Sequence, residues 1–396
     1  MKLLCIDGRD VFGFGGALRG RELAFALSQL GHEIVVEANL SPAQLKEMKV
    51  QGVIETGTWH LLQGGSGTEI VRRSRVCDSL GIPSVWWFGS NGSVWGVRVA
   101  NEQKRRESEE GVLSLIRERK FIGVICPYSM DIYSRYNIPK EKMRLIPSVF
   151  DGDLFTPQRF PYDKHVTQRM FSAFGIPQTG YFIGTAGNTP NSKGGDFVIQ
   201  AVKLLEKEMP DLHYIILHTP DFLLNTEREK SPDGLREGLS ELDVLQRSKQ
   251  LAQTLGIAQR VHFIGTRLLR THMPSYYRML NAYCSPSEAE NLGQPLVESQ
   301  LCGLPLLTYK GFSFDFVSCP TTATQVEPDH TETDDYGLVI PKGNPALIAE
   351  GIKRQREIGE TVGTREATRM WAYEKFHHHN AVKMINALAE YREMMK

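Results

Sequence analysis

Two carboxylates around a glycine turn mark the stretch of the sequence best suited to chemistry. Glu290 and Glu298 stand with seven residues between them in Ser285-Pro286-Ser287-Glu288-Ala289-Glu290-Asn291-Leu292-Gly293-Gln294-Pro295-Leu296-Val297-Glu298. The preceding Asn281-Ala282-Tyr283-Cys284 reads as the end of a strand, and Gln294-Pro295 as the first turn of a helix, where proline is well tolerated. The backbone amides of Asn291, Leu292 and Gly293 would then point along the positive end of the helix dipole with no intrahelical acceptor. Such a terminus suits an anion, a diphosphate or a sugar hydroxyl. Glu298, about one turn inside the helix, has the acceptor capacity to take both hydroxyls of a ribose.

Further residues of chemical interest are scattered. Gly8, Gly13, Gly15 and Gly16 form a glycine-rich loop after Leu3-Leu4-Cys5-Ile6, followed by Arg19. Its spacing lacks the third glycine of a dinucleotide fingerprint, which argues against a nicotinamide-dependent dehydrogenase. Lys193-Gly194 follows an apolar run. Trp86, Trp87 and Trp95, with Gly89, Asn91 and Gly92, read either as an acceptor pocket, since sugars stack on aromatic faces, or as core. His377-His378-His379 would point in different directions on a helix, so a solvated face is expected rather than a metal site. Cys5, Cys77, Cys126, Cys284, Cys302 and Cys319 have neither disulfide-framework nor zinc spacing, which fits a reducing compartment.

The elements that would position these residues alternate between apolar runs and helical spacing. Leu3–Ile6, Ile34–Val36, Gly52–Glu55, Val85–Phe88, Ile122–Cys126 and Arg144–Pro147 read as strands of a first series. Tyr181–Gly184, His213–Leu217, Val261–Ile264, Ala282–Cys284 and Leu304–Leu307 read as a second, with a helix over Asp196–Met209. Residues 151–180, with Pro157, Pro161 and Pro177, read as the crossover, and 218–250 as a polar loop with a helix. The 396 residues suit two domains. Two doubly wound α/β domains facing across a cleft are expected, with ligands at the carboxyl ends of the strands. Lys+Arg and Asp+Glu are both 46, so no nucleic-acid partner is expected. Nothing reads as a targeting segment or a membrane span, so a cytoplasmic protein with at most peripheral membrane contact is expected.

The Glu290/Glu298 pair, with Ser285-Pro286-Ser287 before it and Cys302-Gly303-Leu304-Pro305 after it, resembles the signature of retaining GT-B glycosyltransferases, most of all glycosyltransferase family 4. The resemblance extends over most of the chain. It takes in Gly15-Gly16, Gly31-His32-Glu33-Ile34-Val35-Val36, Ile146-Pro147-Ser148-Val149-Phe150-Asp151, Lys193-Gly194 and Trp371-Ala372-Tyr373-Glu374-Lys375. It implies a GT-B fold with an acceptor domain over 1–156, a donor domain over 157–372 and a helix over 373–396 that returns to the first domain. It also implies a sugar transferred from a nucleotide-diphosphate sugar, UDP- or GDP-linked, with no metal and no other cofactor. Glu290 and Lys193 would be the catalytic pair. Donor-binding residues would be Glu298, Asn291, Leu292, Gly293, Asn188, Gly15, Gly16 and Arg267, and acceptor-binding ones Trp87, Gly89, Asn91 and Arg19. The acceptor is left open between a small molecule or sugar, a lipid-linked sugar, a polysaccharide and a protein.

Four positions depart from the family. Asn188 stands where a second phosphate-binding arginine is common, and Gly89 roughly where a histidine is. Ser148-Val149 replaces Asn-Gly, and His218-Thr219-Pro220 replaces a Gly-Asp-Gly turn. Arg267 and Arg19 are candidates to supply the missing charge. The alternatives to transfer are a non-catalytic GT-B partner subunit and a GT-B nucleotide-sugar epimerase.

Overall fold

The computed structural model of the protein describes residues 1–6, 15–37, 42–56, 66–88, 113–114, 116–157, 161–187, 194–218, 241–266, 268–287, 290, 292–333 and 339–396. The chain divides into two compact units, Met1–Asp151 with Phe376–Lys396, and Gly152–Lys375.

The first unit is built on strands β1 (Lys2–Ile6), β2 (Glu33–Glu37), β3 (Gly52–Glu55), β4 (Ser84–Phe88), β5 (Ile122–Val124) and β6 (Met143–Leu145). They pair in the order β2-β1-β3-β4-β5-β6, every pair parallel. Continuous apolar runs suit this arrangement, because helices cover both faces of a parallel sheet. β3 and β5 are buried throughout, whereas the edge strand β2 exposes Glu33, Val36 and Glu37. Gly15 and Gly16, expected in a loop, instead open the helix Gly15–Gln29. Amides of a first helical turn have no intrahelical acceptor.

The last segment of the chain completes this unit. The Phe150 amide donates to the Phe376 carbonyl at 2.8 Å. In the helix Val382–Met395, Tyr391 packs edge-on against Phe121 at 5.3 Å, and Glu390 accepts from Arg144 Nε at 2.9 Å. A side chain at Gly52 would come within 3.2 Å of Leu388, so that strand residue has to be small. One ring of the histidine run departs from the solvated face expected for it. His378 is buried in a short 3₁₀ turn, with its Nε2 3.0 Å from the Glu22 carboxylate and its ring edge-on to Phe25 at 5.1 Å. A 3₁₀ turn rotates successive side chains by about a third of a circle, which carries one ring inward while its neighbours stay near the surface.

The second unit holds β7 (Tyr181–Gly187), β8 (Leu212–His218), β9 (Val261–Ile264), β10 (Ala282–Cys284), β11 (Leu306–Tyr309) and β12 (Thr324–Val326). These strands run parallel in the order β12-β11-β10-β7-β8-β9. Its core gathers Val198, Ile199, Val202, Leu212, Tyr214 and Ile352 between sheet and helices. Residues 151–180 are more than a crossover, because Pro161–Ala173 is a helix. Pro161 sits at its first position, where the missing N–H costs nothing, and Phe171 packs on Phe182 of β7 at 5.0 Å. The helix expected over 196–209 spans Gly195–Leu204, and β11 starts two residues later than expected. An antiparallel pair, β13 (His330–Thr333) and β14 (Val339–Lys342), had no counterpart in the sequence reading. Among the described residues, no helix is long and apolar enough to cross a membrane, and all six cysteines are free and buried.

On neighbouring strands of this sheet, His213 Nδ1 and His262 Nε2 lie 3.1 Å apart. Burial, and then His213, lower the His262 ring to about 4. The folded chain therefore refuses a proton that the unfolded chain accepts near the ordinary histidine value. Stability from this site is complete above about pH 6.5 and is lost as pH falls toward 4. The urea midpoint should drop between pH 7 and pH 5, and His262→Asn should drop less over the same interval.

Candidate functional site

All six strands of the second unit are parallel, so their carboxyl ends lie along one edge of the sheet. Such an edge is where ligands of doubly wound sheets bind. Six connections follow these strands in the chain: 188–194 after β7, 219–240 after β8, 265–269 after β9, 285–293 after β10, 310–313 after β11 and 327–329 after β12.

The connection after β10 is held from below by buried hydroxyls. Tyr214 donates to Thr185 Oγ1 at 2.9 Å, and Thr185 in turn donates to the Cys284 carbonyl. The Ala186 amide donates to the Tyr283 hydroxyl at 2.9 Å. Burial pushes Tyr214, Tyr276 and Tyr283 upward from the ordinary phenol value, so these groups stay protonated and serve as fixed donors. The strand ends β7 and β10 are thus registered by side chains as well as by the ladder.

The helix opens as its sequence implies. It spans Gln294–Leu301, with proline in its first turn and Gly293 as the capping residue. Gly293 is left-handed at φ 69°, a region that favours glycine. A side chain there would meet Leu296 at 2.6 Å and the Glu290 carboxyl carbon at 3.3 Å. The half-buried Glu290 carboxyl therefore lies over the cap, and its backbone carbonyl accepts from Ser313 Oγ at 2.8 Å. Leu292 is buried and anchors the turn.

Glu298 is 3% exposed. One carboxylate oxygen pairs with Arg270 Nη1, and the other accepts from the Tyr277 hydroxyl at 2.7 Å. Burial, and then the Glu298 charge, push the Tyr277 phenol well above its ordinary value, which makes it the donor. Arg270 opens a 3₁₀ turn, Arg270–His272, that follows β9, and its guanidinium lies 4.4 Å from the centre of the Phe155 ring. Neither partner was legible in the sequence. Arg270 sits 28 residues before Glu298, and only the crossover between β9 and β10 brings the two together.

Gly194 caps a second helix, Gly195–Leu204, in a left-handed conformation at φ 73°. A side chain on it would run into the Pro286 carbonyl oxygen and come within 2.8 Å of the Pro286 ring. The residue following Lys193 therefore touches the Ser285–Ser287 turn, and two helix N-termini open at the same edge. At the end of β8, where the family's glycine turn is replaced, His218 is 1% exposed and its Nδ1 is buried without a hydrogen-bond partner. Burial lowers its ring below the ordinary histidine value against the opposing effect of the Gly187 carbonyl.

The structure thus brings Glu290, Leu292, Gly293 and Glu298 together. Lys193, Asn188, Asn291 and Arg267 lie outside the described residues, as do Gly89 and Asn91 of the first unit. Gly15 and Gly16 stand at a helix start, as above. Trp87 does not fit an acceptor contact. It is fully buried, and its indole N–H donates to the Ile146 carbonyl at 2.7 Å, so its ring has no face open to a sugar. Arg19, also buried, lies with its guanidinium 5.4 Å from the centre of that ring.

Two parallel six-stranded α/β units, the second carrying this carboxylate site, define the GT-B glycosyltransferase fold. The chain superposes on the Anabaena protein HepE in complex with UDP with a TM-score of 0.68 at 17% identity, covering 98% of both chains. It superposes on sucrose-phosphate synthase from Thermosynechococcus elongatus with a TM-score of 0.65 at 18% identity, covering 99% and 98%. Residues 166–361, just under half of the chain and within the second unit, match the family model described as glycosyl transferases group 1. A D-inositol 3-phosphate glycosyltransferase of Jonesia denitrificans is 28% identical over 179 residues, 45% of this chain and 37% of that protein. The protein of the same name from Corynebacterium jeikeium is 29% identical over 177 residues, 45% and 38%. The match thus spans little more than a third of these relatives.

Gly194 and Gly31 are both left-handed, but nothing lies within 4 Å of a side chain added at Gly31. Gly31→Ala should therefore cost only the backbone penalty, on the order of 1 kcal/mol. Gly194→Ala should cost clearly more, since the Pro286 turn has to move as well. Urea unfolding of the two variants side by side measures the difference.

Proposed function

We propose that the chain is a retaining glycosyltransferase of the family 4 type. It would take a sugar from a UDP- or GDP-linked donor without a metal and pass it to an acceptor hydroxyl. The observation that carries this reading is the buried Glu298 carboxylate, one turn inside a helix whose glycine cap lies under Glu290, at the carboxyl edge of a parallel sheet. A carboxylate so placed suits the vicinal hydroxyls of a ribose, and the adjoining helix N-termini suit its diphosphate.

In the reaction, the bond between the sugar's anomeric carbon and the diphosphate oxygen breaks, and a bond from that carbon to the acceptor oxygen forms. The acceptor proton leaves with the diphosphate. Negative charge builds on the leaving group, and Lys193 with the two helix N-termini would meet it there without reorganising. Glu290, over the Gly293 cap, would hold the transferred sugar from the same side. Retention follows if the acceptor attacks on the face the leaving group vacates.

UDP is favoured over GDP because HepE, similar in fold over nearly the whole chain, is described in complex with UDP and with UDP-glucose. The acceptor would be held mainly by the first unit. A cytoplasmic location fits the free cysteines.

Thermal-shift measurements with UDP, GDP and ADP test the reading. One nucleotide should raise the melting temperature of the wild type by mass action, and Glu298→Gln should abolish that shift. Stabilisation retained in the variant would remove Glu298 from the site. No shift with any nucleotide would favour the non-catalytic alternative.

A further inference from the structure

We propose that Arg270 is a positioning residue for nucleoside recognition: with Tyr277 it fixes the Glu298 carboxylate in the one orientation that accepts both hydroxyls of a ribose. The inference rests on the reading of Glu298 as the ribose-binding residue and names the device that makes it one.

A carboxylate offers about four acceptor positions, two on each oxygen. In Glu298 one oxygen is engaged by Arg270 Nη1 and the other by the Tyr277 hydroxyl. One acceptor position remains on each oxygen, which is the pattern that two neighbouring hydroxyls require. Because both oxygens are anchored, the carboxylate cannot swing to a second rotamer without breaking a bond to a charged or buried partner.

The two anchors are themselves rigid. Tyr277 is fully buried, with its ring against Tyr276 at 5.4 Å and Tyr283 at 6.0 Å. Arg270 lies over Phe155, and the same Phe155 ring packs against Tyr277 at 6.1 Å. One aromatic wall therefore steadies both donors. Their chain positions add to the precision, since Arg270 comes from the turn after β9, Tyr277 from the helix Met273–Arg278 and Glu298 from the helix after β10. Arginine suits this place better than lysine, because its planar fork holds an oxygen in a set direction while its stem packs on an aromatic face.

The test reads discrimination rather than binding alone. Calorimetric affinities are measured for UDP and for 2′-deoxy-UDP, with GDP and 2′-deoxy-GDP as the pair if GDP proves the tighter ligand. The wild type should prefer the ribonucleotide by about tenfold or more, the worth of a hydrogen bond to a charged group. In Arg270→Ala, and in Arg270→Gln, which keeps a stem but no charge, this preference should fall to less than about threefold. Affinity for the deoxynucleotide should change little, and Arg270→Lys should restore part of the ratio. Circular dichroism identifies which variants fold, and any folded one reads the same ratio. A folded Arg270→Ala or Arg270→Gln that keeps the wild-type ratio would overturn the positioning role. A wild type that binds the two sugars equally would instead overturn the ribose reading of Glu298 beneath it.

Discussion

A carboxylate almost sealed from water has to be met by protein donors, and much of the second unit follows from how Glu298 is met. Removing one partner of a buried ion pair costs about 3–5 kcal/mol in general, because the other charge is left stranded. Glu298 is matched from two sides, by Arg270 and by Tyr277. The demand spreads outward. Tyr277 belongs to a helix whose Tyr276 hydroxyl donates to the Thr185 carbonyl at 2.8 Å. That contact needs Gly184, since a side chain there would come within 2.8 Å of the same hydroxyl. A strand glycine, a buried tyrosine cluster and a half-buried arginine are thus parts of one solution.

The same constraint separates what the sequence discloses from what it conceals. The chain from Ser285 to Glu298 is legible because every function there is local: a strand end, a left-handed glycine, a proline in a first helical turn and a carboxylate one turn on. The strands are legible because parallel sheets bury both faces and leave continuous apolar runs. Arg270 is silent, because its role depends on a crossover, and nothing in Arg267-Leu268-Leu269-Arg270 distinguishes it from a solvated charge.

Other misreadings have equally particular causes. The helix Pro161–Ala173 is masked by prolines that suit a linker as well as a helix start. Trp87 offers a sugar-stacking ring in the sequence, yet its indole N–H is spent inside the core. His378 reads as surface until the 3₁₀ turn that buries it is known. In each case, local chemistry allowed two environments and tertiary packing chose between them.

The first unit is discontinuous, closed by Phe376–Lys396 only after the whole of Gly152–Lys375 has intervened. This bears on how the protein is made. A ribosome delivers the chain from its amino end, so the sheet β1–β6 emerges early, without the helix that carries Glu390 and Tyr391. The second unit, encoded as one unbroken stretch, is free to assemble while the first still waits for its final segment. The nascent first unit therefore carries the uncovered Phe121 and Leu3 neighbourhood for as long as Gly152–Lys375 is being made. Apolar surface left uncovered in that interval is the kind that chaperones bind and that misassociates.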